Sequence, residues 1–158
     1  MSKLTRAMMM GAGAAPAGDR LYVDDVFNVT SVNPESSGTW SVQNGIDLQT
    51  EGGFVMTKRR NGTDRWFVAD TVTFTSEGQK SHGALNSSAK YANYDYAISS
   101  FNTDGFTYSD GYGGAQDYAT YTFRKAPGFF DVVQYSGNGN PSGQTINHSL
   151  GSTPGMIW

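Results

Sequence analysis

Residues 53–70 read GFVMTKRRNGTDRWFVAD, two apolar runs on either side of Asn61-Gly62. Asn-Gly between such runs is the strongest short-range hairpin signal, because both central residues of a type I′ turn need φ > 0. The stretch predicts antiparallel strands over 53–60 and 64–70, with VTFT at 72–75 continuing the second arm after a bulge. A hairpin alone is not stable in water, so the rest of the chain must supply further strands.

Several stretches do. TWSVQ at 39–43 alternates, and AISSF at 97–101 and GFTYS at 105–109 flank Asn102, Thr103 and Asp104, with Gly105 able to take the left-handed position of a second hairpin. YATYTFR at 118–124 sets Tyr118, Thr120 and Thr122 against Ala119, Tyr121 and Phe123, a period of two. Pro127 ends that run, and GFFDVVQYS at 128–136 reads as the next strand. Between the hairpins, residues 76–94 form a polar excursion with no consistent period.

Composition agrees. The 158 residues include 20 Gly, nine Tyr, nine Phe and three Trp, the mixture that short strands and tight turns require. The chain reads as all-β. Eleven basic and 14 acidic residues leave a net charge of −3, so no basic field draws a nucleic-acid backbone. Without Cys there is no disulfide or thiolate metal site within the chain.

The opening MSKLTRAMMMGAGAAPAGDR places Lys3 and Arg6 before a Met/Ala/Gly stretch too short and too Gly-interrupted for a signal peptide or membrane span. It predicts a flexible arm on a soluble chain made in the cytosol. In LYVDDVFNV, either Leu21, Val23 and Val26 or Tyr22 and Phe27 suit a short extended segment, and NPESSG at 33–38 reads as a linker. The expected organisation is an arm and linker over 1–36, a β domain over 37–147, and 148–158 as the start of a second repeat or the end of the first unit. An internal echo underlies that last segment: IDLQTEGGFVM at 46–56 aligns with HSLGSTPGMIW at 148–158, matching Leu48 with Leu150 and Gly53 with Gly155. On that reading a second unit continues past Trp158.

Motifs for catalysis are sparse. His82 and His148 have no metal-ligand spacing around them, and Asp104, Asp110 and Asp117 bracket a Gly-rich loop as turn formers rather than as a Ca²⁺ loop. No acid pair can be assigned across a cleft, and there is neither a Gly-x-Ser-x-Gly elbow nor a phosphate-cradling loop. An enzyme is the minority reading, and no catalytic residue, metal or cofactor is expected. KRRNGTDR gathers Lys58, Arg59, Arg60 and Arg65 at one hairpin tip, either a charged, soluble tip or, with Tyr112, a contact for an anion or host glycan. Tyr91, Tyr94, Tyr96 and Tyr108 serve equally as surface cover or sugar platforms. Asn-x-Ser/Thr triplets begin at Asn28, Asn61, Asn86 and Asn147, a frequency that so much Asn, Ser and Thr produces by chance.

YTFRKAPGFFDVVQYSGNG at 121–139, with INHSLGSTPGMI at 146–157, resembles a segment of structural proteins of tailed bacteriophages, especially cyanophages. MSKLTRAMMMGAGAA, YVDDVF and NGIDLQTEGGFVMTKRRN are similar to the N-terminal part of the same proteins. The resemblance implies a concanavalin-like or jelly-roll antiparallel β-sandwich behind an extended arm, in a virion structural protein such as a tail fibre. It further implies a homotrimer, with an arm that includes Lys3, Leu4, Arg6, Met8, Met9, Leu21, Tyr22, Val23, Val26 and Phe27 docking on other virion proteins. A host-glycan-binding module and a capsid-decorating protein are the alternatives. No catalytic residue carries over, and no nucleic acid or membrane partner is expected.

Overall fold

The 53–70 stretch folds as a hairpin at the centre of an all-β chain. In the computed structural model, residues 21–33, 38–64, 66–76, 81–85, 92–93, 97–110 and 116–158 are described. The strands are β1 (Phe27–Val32), β2 (Gly38–Gln43), β3 (Gly53–Arg59), β4 (Trp66–Asp70), β5 (Ser81–Ala84), β6 (Ala92–Asn93), β7 (Ala97–Asn102), β8 (Gly105–Asp110) and β9 (Tyr118–Arg124). The helices are α1 (Val23–Val26) and α2 (Thr71–Ser76). One antiparallel sheet runs β1-β9-β3-β4, extended by the short β5 and β6, and the other runs β2-β8-β7.

The two sheets enclose one apolar core, the arrangement of a β-sandwich. Val55, Phe67, Ala69 and Tyr118 from the large sheet meet Val42, Ile98, Phe106 and Tyr108 from the small one. Ile46 and Leu48, in the β2–β3 connection, are fully buried with them. That connection is tied down by Leu48 N–H and Gln49 N–H to the Asn102 carbonyl, and by the Asn44 side-chain amide donating to Thr122 Oγ1 at 2.8 Å. It therefore closes one end of the sandwich instead of lying on the surface. Helix α2 closes another side, with Phe74 buried and its ring 5.0 Å from Phe101.

Both expected hairpins form. In β7–β8 the pairing reaches Asn102↔Gly105, so Thr103 and Asp104 make a two-residue turn. Gly105 sits at φ +119, where a Cβ would lie 2.0 Å from the Val42 carbonyl oxygen, so glycine is required for β2 to pair so closely. In β3–β4 the pairing ends at Lys58↔Trp66, leaving a wider loop than the expected type I′ turn, and Gly62 does not take positive φ. The Asn61 side chain instead accepts from Arg59 Nε and from the Asp117 N–H.

Three local expectations are corrected. VTFT is helical, because Asp70 Oδ1 accepts from the N–H groups of Val72 and Thr73 and so caps α2. GFFDVVQYS forms no strand: Gly128 at φ +71 reverses the chain, Ala126 and Phe130 exchange backbone hydrogen bonds, and Asp131 turns to partners outside the sheet. The first strand begins earlier than residue 37. Phe27–Val32, within the segment read as arm and linker, pairs with β9 throughout, while Val23–Val26 forms one helical turn closed by Asp25 accepting from the Tyr22 N–H. Residues 148–158 contain no strand, although their echo, 53–56, lies in a central one.

Candidate functional site

Strand register decides what each face of the large sheet presents. Towards the core, Thr30, Thr120 and Thr57 are neighbours across β1, β9 and β3, and Thr122 lies beside Val55. Thr57, Thr120 and Thr122 are buried. On the opposite, outer face the same strands carry Phe27 and Val29, Tyr121 and Phe123, Phe54 and Met56, and β4 adds Trp66 and Val68. Among the described residues Ser31, Lys58 and Asp70 are the polar ones on the outer side of these four strands. Asp70 is engaged as the helix cap, and Lys58 Nζ donates to the carbonyls of Arg59 and Gly62.

The outer residues form a continuous aromatic cluster. Phe123 lies at its middle, its ring centroid 4.9 Å from Phe27, 6.1 Å from Phe54 and 5.3 Å from Phe130. Trp158 reaches back across the sheet to meet Phe54 and Phe123 edge-on at 5.9 and 5.7 Å. Such tilted and edge-on pairs are the favoured aromatic geometries. Beside them Met56, Trp66, Leu85 and Trp158 line an open recess of about 340 Å³ whose walls are wholly apolar. Met156 and Ile157, which precede Trp158 in the chain, are 73% and 85% exposed.

What brings the C-terminal segment back over this face is a polar clasp. The Asp131 carboxylate, 6% exposed, lies 3.0 Å from Lys125 Nζ and accepts from the Ser149 N–H and hydroxyl at 2.7 and 2.8 Å. The Gly128 N–H donates to the Leu150 carbonyl at 2.7 Å alongside it. Burial alone raises the Asp131 pKa. The Ser149 amide, the Lys125 ammonium and the Ser149 hydroxyl outweigh burial and lower it from 3.8 to about 2. The segment from Asp131 to Ser149, 18 positions apart, thus leaves and rejoins the domain at one point.

Sequence-assigned residues distribute differently. Lys3, Leu4, Arg6, Met8, Met9, Arg65 and Tyr112 lie outside the described residues, as do Tyr91, Tyr94 and Tyr96. Leu21 and Val23 are exposed and Tyr22 half-buried, whereas Val26 is buried and Phe27 belongs to the aromatic cluster. Arg59 pairs with Asp64 at 2.8 Å, and Arg60 reaches Asp117 at 3.3 Å, so both guanidiniums have carboxylate partners within the domain. Tyr108 packs in the core instead of on the surface. Asp104 accepts from the Gly45 N–H at one end of β8, whereas Asp110 ends that strand, so the three loop acids do not converge. His148 Nδ1 accepts from the Leu150 N–H.

The aromatic face and the clasp escape sequence reasoning, although one signal was present: Phe54, Phe123 and Phe130 all occur where the alternation could equally place them inside or outside. No protein-family model matches the chain, and no curated protein or solved structure matches it either.

Proposed function

We propose that the chain is a structural component of a tailed-phage virion, the N-terminal, particle-attached part of a tail fibre or similar appendage. It is made in the host cytoplasm and works as a homo-oligomer bound to other virion proteins. The observation that carries this reading is how the stretches that resemble phage structural proteins meet. Phe27 of YVDDVF, Phe54 of GFVM and Phe130 of GFFDVV surround Phe123 of YTFRKAP, and Asp131 joins that last segment to Ser149 of INHSLG. These residues therefore build one architectural unit, in which the Asp131 carboxylate holds one segment of the chain to another. That suits a scaffold more than a site of chemistry.

The arm has a direct test. Because β1 begins at Phe27, the informative deletion removes residues 1–20 and leaves the sheet intact. Particles assembled with the shortened chain are expected to lack it, while the purified shortened chain keeps the circular dichroism of the full one. Undiminished incorporation contradicts the reading.

A further inference from the structure

We infer that the outer face of the large sheet is the seat of a second copy of this chain, in a two-fold, face-to-face pair in which Met156 and Ile157 of each copy enter the other's recess. The inference goes beyond the virion reading and does not depend on it.

The first ground is the chemistry of the face. An antiparallel sheet with one side against a core ordinarily presents polar residues on the other, yet here Phe54, Met56, Trp66, Tyr121 and Phe123 stand there. Among the described residues the two charged groups on the face are already engaged, Lys58 by two carbonyls and Asp70 by α2. A nucleic acid, an acidic glycan or a charged protein surface would find no counter-charge among the described residues there, so the surface that matches them is itself apolar and uncharged. Copies of this chain supply one, and at −3 each they repel only weakly.

The second ground is self-complementarity. A two-fold contact uses the same patch on both partners, so that patch must hold projection and receptor together. Trp158, which lines the recess with Met56, Trp66 and Leu85, directly follows Met156 and Ile157, large apolar side chains with most of their surface in water. Val29, 54% exposed, extends the patch along β1. Four strands ~4.8 Å apart and ~20 Å long give a footprint of about 400 Å² in projection. Counted over both partners that is about 800 Å², below the roughly 1,200 Å² of standard interfaces and in the range of weak contacts, so association should depend on concentration.

Sedimentation equilibrium of residues 1–158, from low micromolar to several hundred micromolar, tests this. A monomer–dimer equilibrium is expected, with Ile157→Asp weakening it at least about tenfold, equivalent to ~1.4 kcal/mol. The exposed position of Ile157 leaves the thermal melt of the variant unchanged, and Tyr135→Ala, at an exposed site on the 131–149 loop, leaves the dimer intact. A monomer at every concentration overturns the inference, as do a trimer or a dimer indifferent to Ile157→Asp. Dimerisation that appears only after residues 1–20 are deleted also overturns it, by showing that the chain covers its own face.

Discussion

The two faces of the large sheet differ in the reverse of the usual sense. The face buried between the sheets carries threonines through its middle, Thr57, Thr120 and Thr122, whereas the face turned outward carries Phe54, Met56, Tyr121 and Phe123 on the same two strands. Inside, burial comes from the opposing sheet and from Ile46 and Leu48, so the threonines are enclosed whether or not their hydroxyls find partners. Outside, the rings are half-covered by one another, by Phe130 and by Trp158. Which side of a strand is buried is therefore fixed by what packs against it, not by which side is more apolar.

Removing the principal ring of the small sheet, which shares the core with the inner face, gives the largest expected effect. Phe106 is fully buried, and Phe106→Ala should cost about 3–5 kcal/mol in urea unfolding, the usual range for such cavities. Phe123→Ala, on the half-covered outer face, should cost clearly less while impairing self-association. Equal losses at the two positions would erase the distinction between the faces.

The clasp comes next. The folded pKa of Asp131 lies below its ordinary value, so its stabilisation is present above about pH 4 and is lost as pH falls towards about 2. A depression from 3.8 to about 2 corresponds to about 2 kcal/mol at neutral pH. Asp131→Asn should remove a comparable amount, flatten the acid limb of the stability curve between about pH 4 and 2, and speed hydrogen exchange at the Ser149 amide. An unchanged acid limb would show that the carboxylate does not hold the segment in solution.

The smallest effects separate the threonines. Thr120 Oγ1 donates to the Thr30 carbonyl at 2.9 Å, whereas Thr57 Oγ1 is buried without a hydrogen-bond partner among the described residues. Thr120→Val should lose about 1 kcal/mol, and Thr57→Val should be neutral or slightly stabilising, since the near-isosteric change deletes an unsatisfied hydroxyl. Denaturant midpoints for the pair give the answer, and the opposite ranking would mean that the inner face is organised around Thr57.

Much of this architecture was legible before any fold was known. Alternation located β2 and β9, and runs flanking turn residues located β3, β4, β7 and β8, because these signals are local. Where reading failed, a non-local or side-chain partner had overridden the pattern. Asp131 engages Ser149, 18 residues on, and draws an apolar run out of the sheet. Asp70 caps a helix where β-branched residues suggested more strand. Asn61 receives hydrogen bonds from Arg59 and Asp117 instead of forming the tight turn that Asn-Gly favours. Ile46 and Leu48 carried a readable signal, a short I-D-L-Q alternation, but only the fold shows that they plug the sandwich. The aromatic face was unreadable for a different reason: alternation in YATYTFR is symmetric between its two sides, and no local rule says which one meets the second sheet.

The outer face as a contact surface is tested most directly by oxidative footprinting of the intact chain at low and high concentration, with mass-spectrometric readout of individual side chains. Met56, Trp66, Met156 and Trp158 should become protected together as concentration rises, while Trp40, on the small sheet, keeps its rate. Unchanged oxidation of those four residues across the range would contradict the account.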